Sequence, residues 1–397
     1  MAPESGLSRR GLLGGGALAL GAGLAGAGLG WGAGSATASS DAVAIGGERV
    51  PFFGPHQAGI TTDPQSFATF VGLDLRAGSD RESLTRILRL WTEDAGRLTQ
   101  GRPALADREP ELADAPWRLT VTVGLGPGAF VGLADKRPEW LRPLPAFPID
   151  AFDVRWPGTD LVLQVCADDP MAAAHAVRVL TKNVCSMAAL TWVQRGFRGT
   201  RPAGVTMRNL MGQVDGTVQP APIDHDALVW DDGAAQPWLK GGTSLVLRRI
   251  RMEMDTWDEV DTPLRNLVLG REQTSGAPLT GSAERDAPDF TATDANGIIV
   301  IPPASHIARA HRRTDREQFL RRAYNYDDPP PPGETSDTGL LFATYQQDVD
   351  AQFLPVQQRL AEQDALNEWT TPVGSAVYVI LPGAQPGGYL GQSLLED

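Results

Sequence analysis

The chain has 397 residues, a formal net charge of −13, five histidines and two cysteines. Such acidity argues against non-specific attraction to nucleic acid or to an anionic membrane surface. The length suits one large domain or two ordinary ones with substantial cores.

In chain order, the N-terminus reads as an export signal. Ser8-Arg9-Arg10-Gly11-Leu12-Leu13 opens it, no charged residue follows Arg10 until Asp41, and Ala36-Thr37-Ala38 supplies a small-residue cleavage site. Twin arginines before a weakly apolar Gly/Ala segment suit the Tat route, which carries folded proteins. Residues 1–38 are therefore expected to be a Tat signal peptide, and their loss takes the charge from −13 to −14, because Glu4, Arg9 and Arg10 leave with them. An extracellular, periplasmic or envelope-associated location follows. An uncleaved membrane anchor is disfavoured by the many glycines, each costing about 1 kcal/mol relative to alanine in a helix.

Two similar blocks come next. In the first, residues 67–75 read as a strand and 80–98 as a helix, with Leu84, Ile87, Leu88, Leu90 and Trp91 at helical spacing. Strands at 117–125 and 161–166, a helix from Pro170 to about 188 and a strand at 192–198 complete it. The second block repeats the order: a strand at 242–254, a helix at 259–269, a strand at 339–346, a helix at 354–362 and a strand at 375–381. One strand of this half is missing from the pattern, and 297–301 is the expected place for it. Strand–helix–strand–strand–helix–strand in each half predicts an α+β protein of two ferredoxin-like domains, 39–220 and 221–397. A doubly wound parallel sheet is the alternative, weakened because no Gly-x-Gly-x-x-Gly follows a strand. Cys166 lies in a strand-like run and Cys185 in a helical one. Both read as buried thiols, with a disulfide as the alternative.

The chemistry-bearing residues sit in long connections. Residues 200–237 contain Gly212-Gln213-Val214-Asp215-Gly216-Thr217, and 276–314 contain Ser305-His306-Ile307-Ala308-Arg309-Ala310-His311-Arg312-Arg313. Beyond them lies Arg321-Arg322-Ala323-Tyr324-Asn325-Tyr326. Taken singly, Asp215 beside Gly216 is a turn residue, His306 a backbone-satisfied histidine and the arginine pair a surface feature. His306 and His311 are not spaced as a helical zinc site, and there is no His-Glu-x-x-His.

Together these segments resemble the dye-decolorizing peroxidase family, and Pro51–Ile60 and the run from Gly339 to Ala376 extend the likeness over nearly the whole mature chain. The twin-arginine signal points to that family's exported branch. The chain departs from the family pattern at Gln213-Val214, where Phe-Lys is usual, at His311-Arg312, where Asn-Pro is common, and at Ala323, where glycine is usual. The resemblance implies a dye-decolorizing-peroxidase-type pair of α+β barrels and a non-covalently bound haem b. No Cys-x-x-Cys-His is present for covalent attachment. It implies His306 as the iron ligand, Arg313 as partner of a haem propionate, and Gly216 and Thr217 beside the cofactor. Asp215 and Arg321 would act on hydrogen peroxide, with Arg322 as the fallback, and small-molecule reductants would supply electrons. Tyr324, Tyr326, Tyr345, Tyr389 and Trp369 are candidates for passing them in. A homo-oligomer is compatible with the pattern. The rival readings are a deferrochelatase-like protein that releases haem iron, a haem carrier without turnover, and a cofactor-free module.

Overall fold

In the computed structural model, which describes residues 45–199, 202 and 204–396, the apolar strands of both halves enter one sheet. The expected signal peptide lies outside the described residues. The first half runs β1 (Phe67–Leu75), α1 (Arg81–Leu98), β2 (Thr120–Leu125), β3 (Leu161–Ala167), α2 (Pro170–Val184) and β4 (Ala188–Phe197). A two-stranded hairpin follows, β5 (Met207–Arg208) and β6 (Val214–Asp215), then a short helix α3 (His225–Leu228). The second half runs β7 (Thr243–Met252), α4 (Met254–Trp257), α5 (Thr262–Leu269), α6 (His306–Ala310), β8 (Leu320–Arg321), β9 (Tyr324–Asp328), β10 (Asp337–Gln346), α7 (Leu354–Gln363), β11 (Thr370–Ile380) and α8 (Gln392–Glu396).

The nine strands of the main sheet are ordered β7-β11-β2-β3-β1-β4-β9-β10-β8, and β7 also pairs with β10, so the sheet closes. Every pairing in it is antiparallel, which rules out the doubly wound parallel alternative. Closure removes exposed edges. Within the halves the strand orders are β2-β3-β1-β4 and β11-β7-β10-β9.

Local chemistry sets the elements. Asp80 caps α1 by accepting from the Ser83 amide at 2.9 Å, and Leu84, Ile87, Leu88 and Trp91 turn one buried face onto the sheet. Pro170 occupies the first turn of α2 behind the Asp169 cap. Side chains alternate along β1: Val71 and Leu73 pack under these helices, while Ala68 and Phe70 join Tyr324, Tyr326, Tyr345 and Tyr378 on the face shared by both halves.

The structure differs from the sequence expectations in three places. Residues 297–301 are not a strand of the sheet; an isolated bridge, Thr293 to Ile299, is all they form. The missing strand is β9, which the arginine–tyrosine segment enters and whose tyrosines face the shared core. The strand expected from 117 starts at Thr120, because Trp117 and Arg118 take left-handed φ values of 50° and 56°. Cys166 is buried but Cys185 is exposed, and both thiols are free.

Candidate active site

The Asp215 segment is a hairpin built for its position. Met207 pairs with Asp215 and Arg208 with Val214 across β5 and β6. Asn209 closes the turn: its backbone amide donates to the Gln213 carbonyl at 3.0 Å, and its carbonyl accepts from the Gly212 amide at 3.0 Å. Its side chain accepts from the Gln213 amide at 3.1 Å and donates weakly to Asp215 Oδ2 at 3.5 Å. Gly216 has φ +112°, a conformation that side chains rarely adopt, so the chain can turn away directly after the carboxylate. Arg208 fastens the hairpin from below by donating to the carbonyls of Gly212 and Gln273 at 2.8 and 2.7 Å. Asn325 of β9 ties it to the sheet, accepting from the Leu210 amide and donating to the Arg208 carbonyl, both at 3.2 Å.

Arg321 reaches the same place from β8, where it lies opposite Thr344 of β10. Its Nη1 is 3.5 Å from Asp215 Oδ1, and its Nη2 donates to the Val218 carbonyl at 2.8 Å. Gln219 grips the Arg321 backbone with two hydrogen bonds of 3.0 and 2.8 Å. Strand alternation sends the neighbouring Arg322 the other way, into the barrel, where it donates to the Thr62 carbonyl and Gln65 Oε1. Of the two arginines, Arg321 is therefore the one beside the carboxylate. Thr217 is half-buried next to this pair.

His306 begins α6 behind the Ser305 cap. Helix α5 fixes that corner: it ends on Gly270 at φ +77°, where a Cβ would lie 2.7 Å from Ile307 Cγ1 and 2.8 Å from Ser305 Oγ. His306 Nδ1 meets Asp364 Oδ2 at 2.6 Å, and Asp364 Oδ1 accepts from the Leu366 amide at 2.9 Å. The Ala365 amide donates to the Ala304 carbonyl at 2.8 Å, so both partners are held by backbone as well. Burial alone would push the His306 imidazole down, but the charge and hydrogen bond of Asp364 outweigh it, and its pKa is raised. Asp215 and Arg321 also act on this ring, the first raising and the second lowering its proton affinity, so all three groups share one electrostatic neighbourhood. The ring is crowded by protein yet keeps 35% of its side-chain surface accessible, against 4% for Asp364. The ring is therefore partly open and not core filling.

This donor set fits haem. With Nδ1 engaged by a carboxylate, Nε2 is the free ring nitrogen, the arrangement in which a ligating histidine is oriented and made more basic. Among the described residues no group of three or more His, Cys, Asp or Glu side chains could hold a metal. A single imidazole suits an iron whose remaining equatorial bonds come from a porphyrin. Arg313 is exposed; its amide donates to Glu317 Oε2 at 2.9 Å, and Arg359 holds the same carboxylate at 2.8 Å. Asp364, Asn209 and Gln219 escaped the sequence reading. Asp364 stands 58 residues beyond His306, and its only local signal is that of a cap for the turn Ala365–Glu368.

Comparison with known proteins gives the family. The description "Dyp-type peroxidase, N-terminal" matches residues 57–198, and its C-terminal counterpart matches residues 206–385. The chain belongs to the Dyp-type peroxidase family. It is 38% identical to a dye-decolorizing peroxidase of Thermobifida fusca, over 99% of this chain and 98% of that one. It is 35% identical to a deferrochelatase of Yersinia pestis, over 88% and 85%. Among solved structures, a DyP-type peroxidase from Cellulomonas bogoriensis is 55% identical, with a TM-score of 0.87 over 89% of this chain and 100% of that one. One from Streptomyces coelicolor is 37% identical, with a TM-score of 0.85 over 89% and 98%. The protein is thus a haem peroxidase with a Dyp-type α+β fold.

Proposed function

We propose that this peroxidase holds haem b non-covalently through His306 Nε2 and uses hydrogen peroxide to oxidise dyes, phenols or other one-electron donors. The observation that carries the reading is the Asp215–Arg321 pair, 3.5 Å apart and acting on the His306 ring. When bound, haem supplies the iron at which peroxide is reduced and through which single electrons return. Asp215 accepts a proton from one peroxide oxygen and delivers it to the oxygen that leaves as water. A positioned acid–base group of this kind contributes typically about 10²–10⁴-fold. Arg321, anchored on the Val218 carbonyl and Gln219, offsets the negative charge that develops on the peroxide. Asp364 fixes the His306 tautomer, Arg313 pairs with a propionate, and Gly216 and Thr217 flank the cofactor. The two strand orders, β2-β3-β1-β4 and β11-β7-β10-β9, support a pair of ferredoxin-like units. The twin-arginine segment supports Tat export, and a homo-oligomer is compatible with the reading.

The match to deferrochelatases supports a second reading, in which the same pocket releases iron from haem. One experiment separates the two. Purified protein loaded with haem receives one equivalent of peroxide and then a phenol or dye. The first reading expects a spectral change on peroxide that the reductant reverses, with oxidised product. Iron-free porphyrin as the main product would replace it with the second, and a haem spectrum indifferent to peroxide with no porphyrin released would overturn both.

A further inference from the structure

Four of the five tyrosines, Tyr324, Tyr326, Tyr345 and Tyr378, are fully buried on the inner face of the closed barrel. Their hydroxyls are not equivalent. Tyr345 donates to Gln164 Oε1 at 2.7 Å, Tyr378 meets Thr159 Oγ1 at 2.9 Å, and the Tyr326 hydroxyl has no partner. Tyr324 alone among them is directed at an oxidisable atom. Its hydroxyl donates to Cys166 Sγ at 3.6 Å, and both residues are fully buried. Packing fixes the pair: Cys166 lies in β3 opposite Ala68 of β1, and a Cβ on Gly196 of β4 would stand 2.8 Å from Tyr324 Cβ. Burial pushes the Tyr324 hydroxyl well above its ordinary pKa, against the opposing charge of Arg322. A phenol so placed stays protonated and gives up an electron only together with its proton. The pair also stands close behind the reactive groups. Arg321 pairs with Thr344 and Tyr324 with Leu341 of the same strand β10, about 10 Å apart at the rise of a strand.

We propose that Cys166 and Tyr324 form a modification site, which the enzyme's own peroxide chemistry joins by a thioether. The new bond links Cys166 Sγ to the ring carbon ortho to the Tyr324 hydroxyl, the carbon that the hydrogen bond brings beside the sulfur. The S–H bond and one ring C–H bond break. Their two electrons reduce one hydrogen peroxide at the active site, and their two protons complete two waters, so atoms and electrons balance. Burial of the thiol favours this route over direct attack, because dissolved peroxide meets no exposed sulfur there. The thioether goes beyond the oxidation of external donors. It ties β3 of the first half covalently to β9 of the second, beside a seam where β4 and β9 pair only through Phe197 and Asn325.

The test reads mass, not activity. The full chain with its haem receives hydrogen peroxide without any reductant, and the haem spectrum is followed on the same sample. The protein is then denatured, alkylated and digested. Mass spectrometry is expected to find one linked species that joins the peptides of Cys166 and Tyr324 and is lighter than their sum by two hydrogen atoms. Thiols counted in denaturant should fall from two per chain to one, the exposed Cys185 remaining free. Tyr324→Phe, which keeps the ring and removes the hydroxyl, and Cys166→Ser should each abolish the link. Unlinked peptides after a peroxide-induced change in the haem spectrum would overturn the proposal and leave the peroxidase reading intact. So would oxygen added to Cys166 in place of the link, or a link that survives in Tyr324→Phe.

Discussion

Two aspartates of the candidate site are held under opposite regimes. Asp364 is 4% accessible and is gripped on both oxygens, by His306 at 2.6 Å and the Leu366 amide at 2.9 Å. Asp215 keeps 17% of its side chain accessible, and its contacts to Arg321 and Asn209 are both long, at 3.5 Å. A carboxylate that must orient a ligand is best immobilised, since every lost degree of freedom sharpens the ligand's direction. One that must take and return a proton needs room for peroxide and no strong competing donor. Under the proposed function, the contrast assigns the scaffold side to Asp364 and the reactive side to Asp215.

The largest expected effect breaks the reactive side. Asp215→Asn preserves shape but cannot accept the proton, so the second-order reaction with peroxide should slow by about 10²–10⁴-fold in stopped-flow absorbance. The haem spectrum before peroxide should stay as in the wild type. An unchanged rate would remove Asp215 from the chemistry and leave Arg321 as the main contributor. On the scaffold side, Asp364→Asn keeps a hydrogen-bonding group but removes the charge, and haem affinity measured by titration should fall by about 10–100-fold. If haem affinity were untouched while peroxide reactivity collapsed, the division of labour between the two aspartates would be reversed.

Gly270→Ala sharpens the same division from a distance. The added methyl meets Ile307 and Ser305 and forces a left-handed φ on alanine, which should cost about 1–3 kcal/mol of stability by denaturant unfolding. Because that strain acts on the His306 corner, haem affinity should weaken while the Asp215 hairpin keeps its form.

The smallest effect is a pH dependence in haem-free protein. His306 has a raised pKa because Asp364 favours its protonated form. Stability from this pair is fully present below the ordinary histidine value and is lost as pH rises through the raised one. The Tm difference between wild type and Asp364→Asn should therefore be greatest under mildly acidic conditions and shrink towards alkaline pH. A difference that grew with pH would mean that the pair is not ionic in the haem-free state.

Much of this protein was legible along the chain. Helices α1 and α2 announced themselves through apolar spacing and the Asp80 and Asp169–Pro170 caps, because those signals act within a few residues. The Asp215, His306 and Arg321 segments stood out only through their joint resemblance to a family pattern, because taken singly each is an ordinary turn, histidine or arginine pair. The missing strand was misplaced because the pairing that selects Tyr324–Asp328 comes from β10 and β4, not from its own sequence. Tertiary structure alone decided that Asp364 faces His306, that Arg321 faces Asp215 while Arg322 turns inward, and that the sheet closes through β7 and β10. Local sequence encodes backbone preference and periodicity, whereas a contact 58 or 106 residues distant depends on where closure of the whole barrel brings the two chains together.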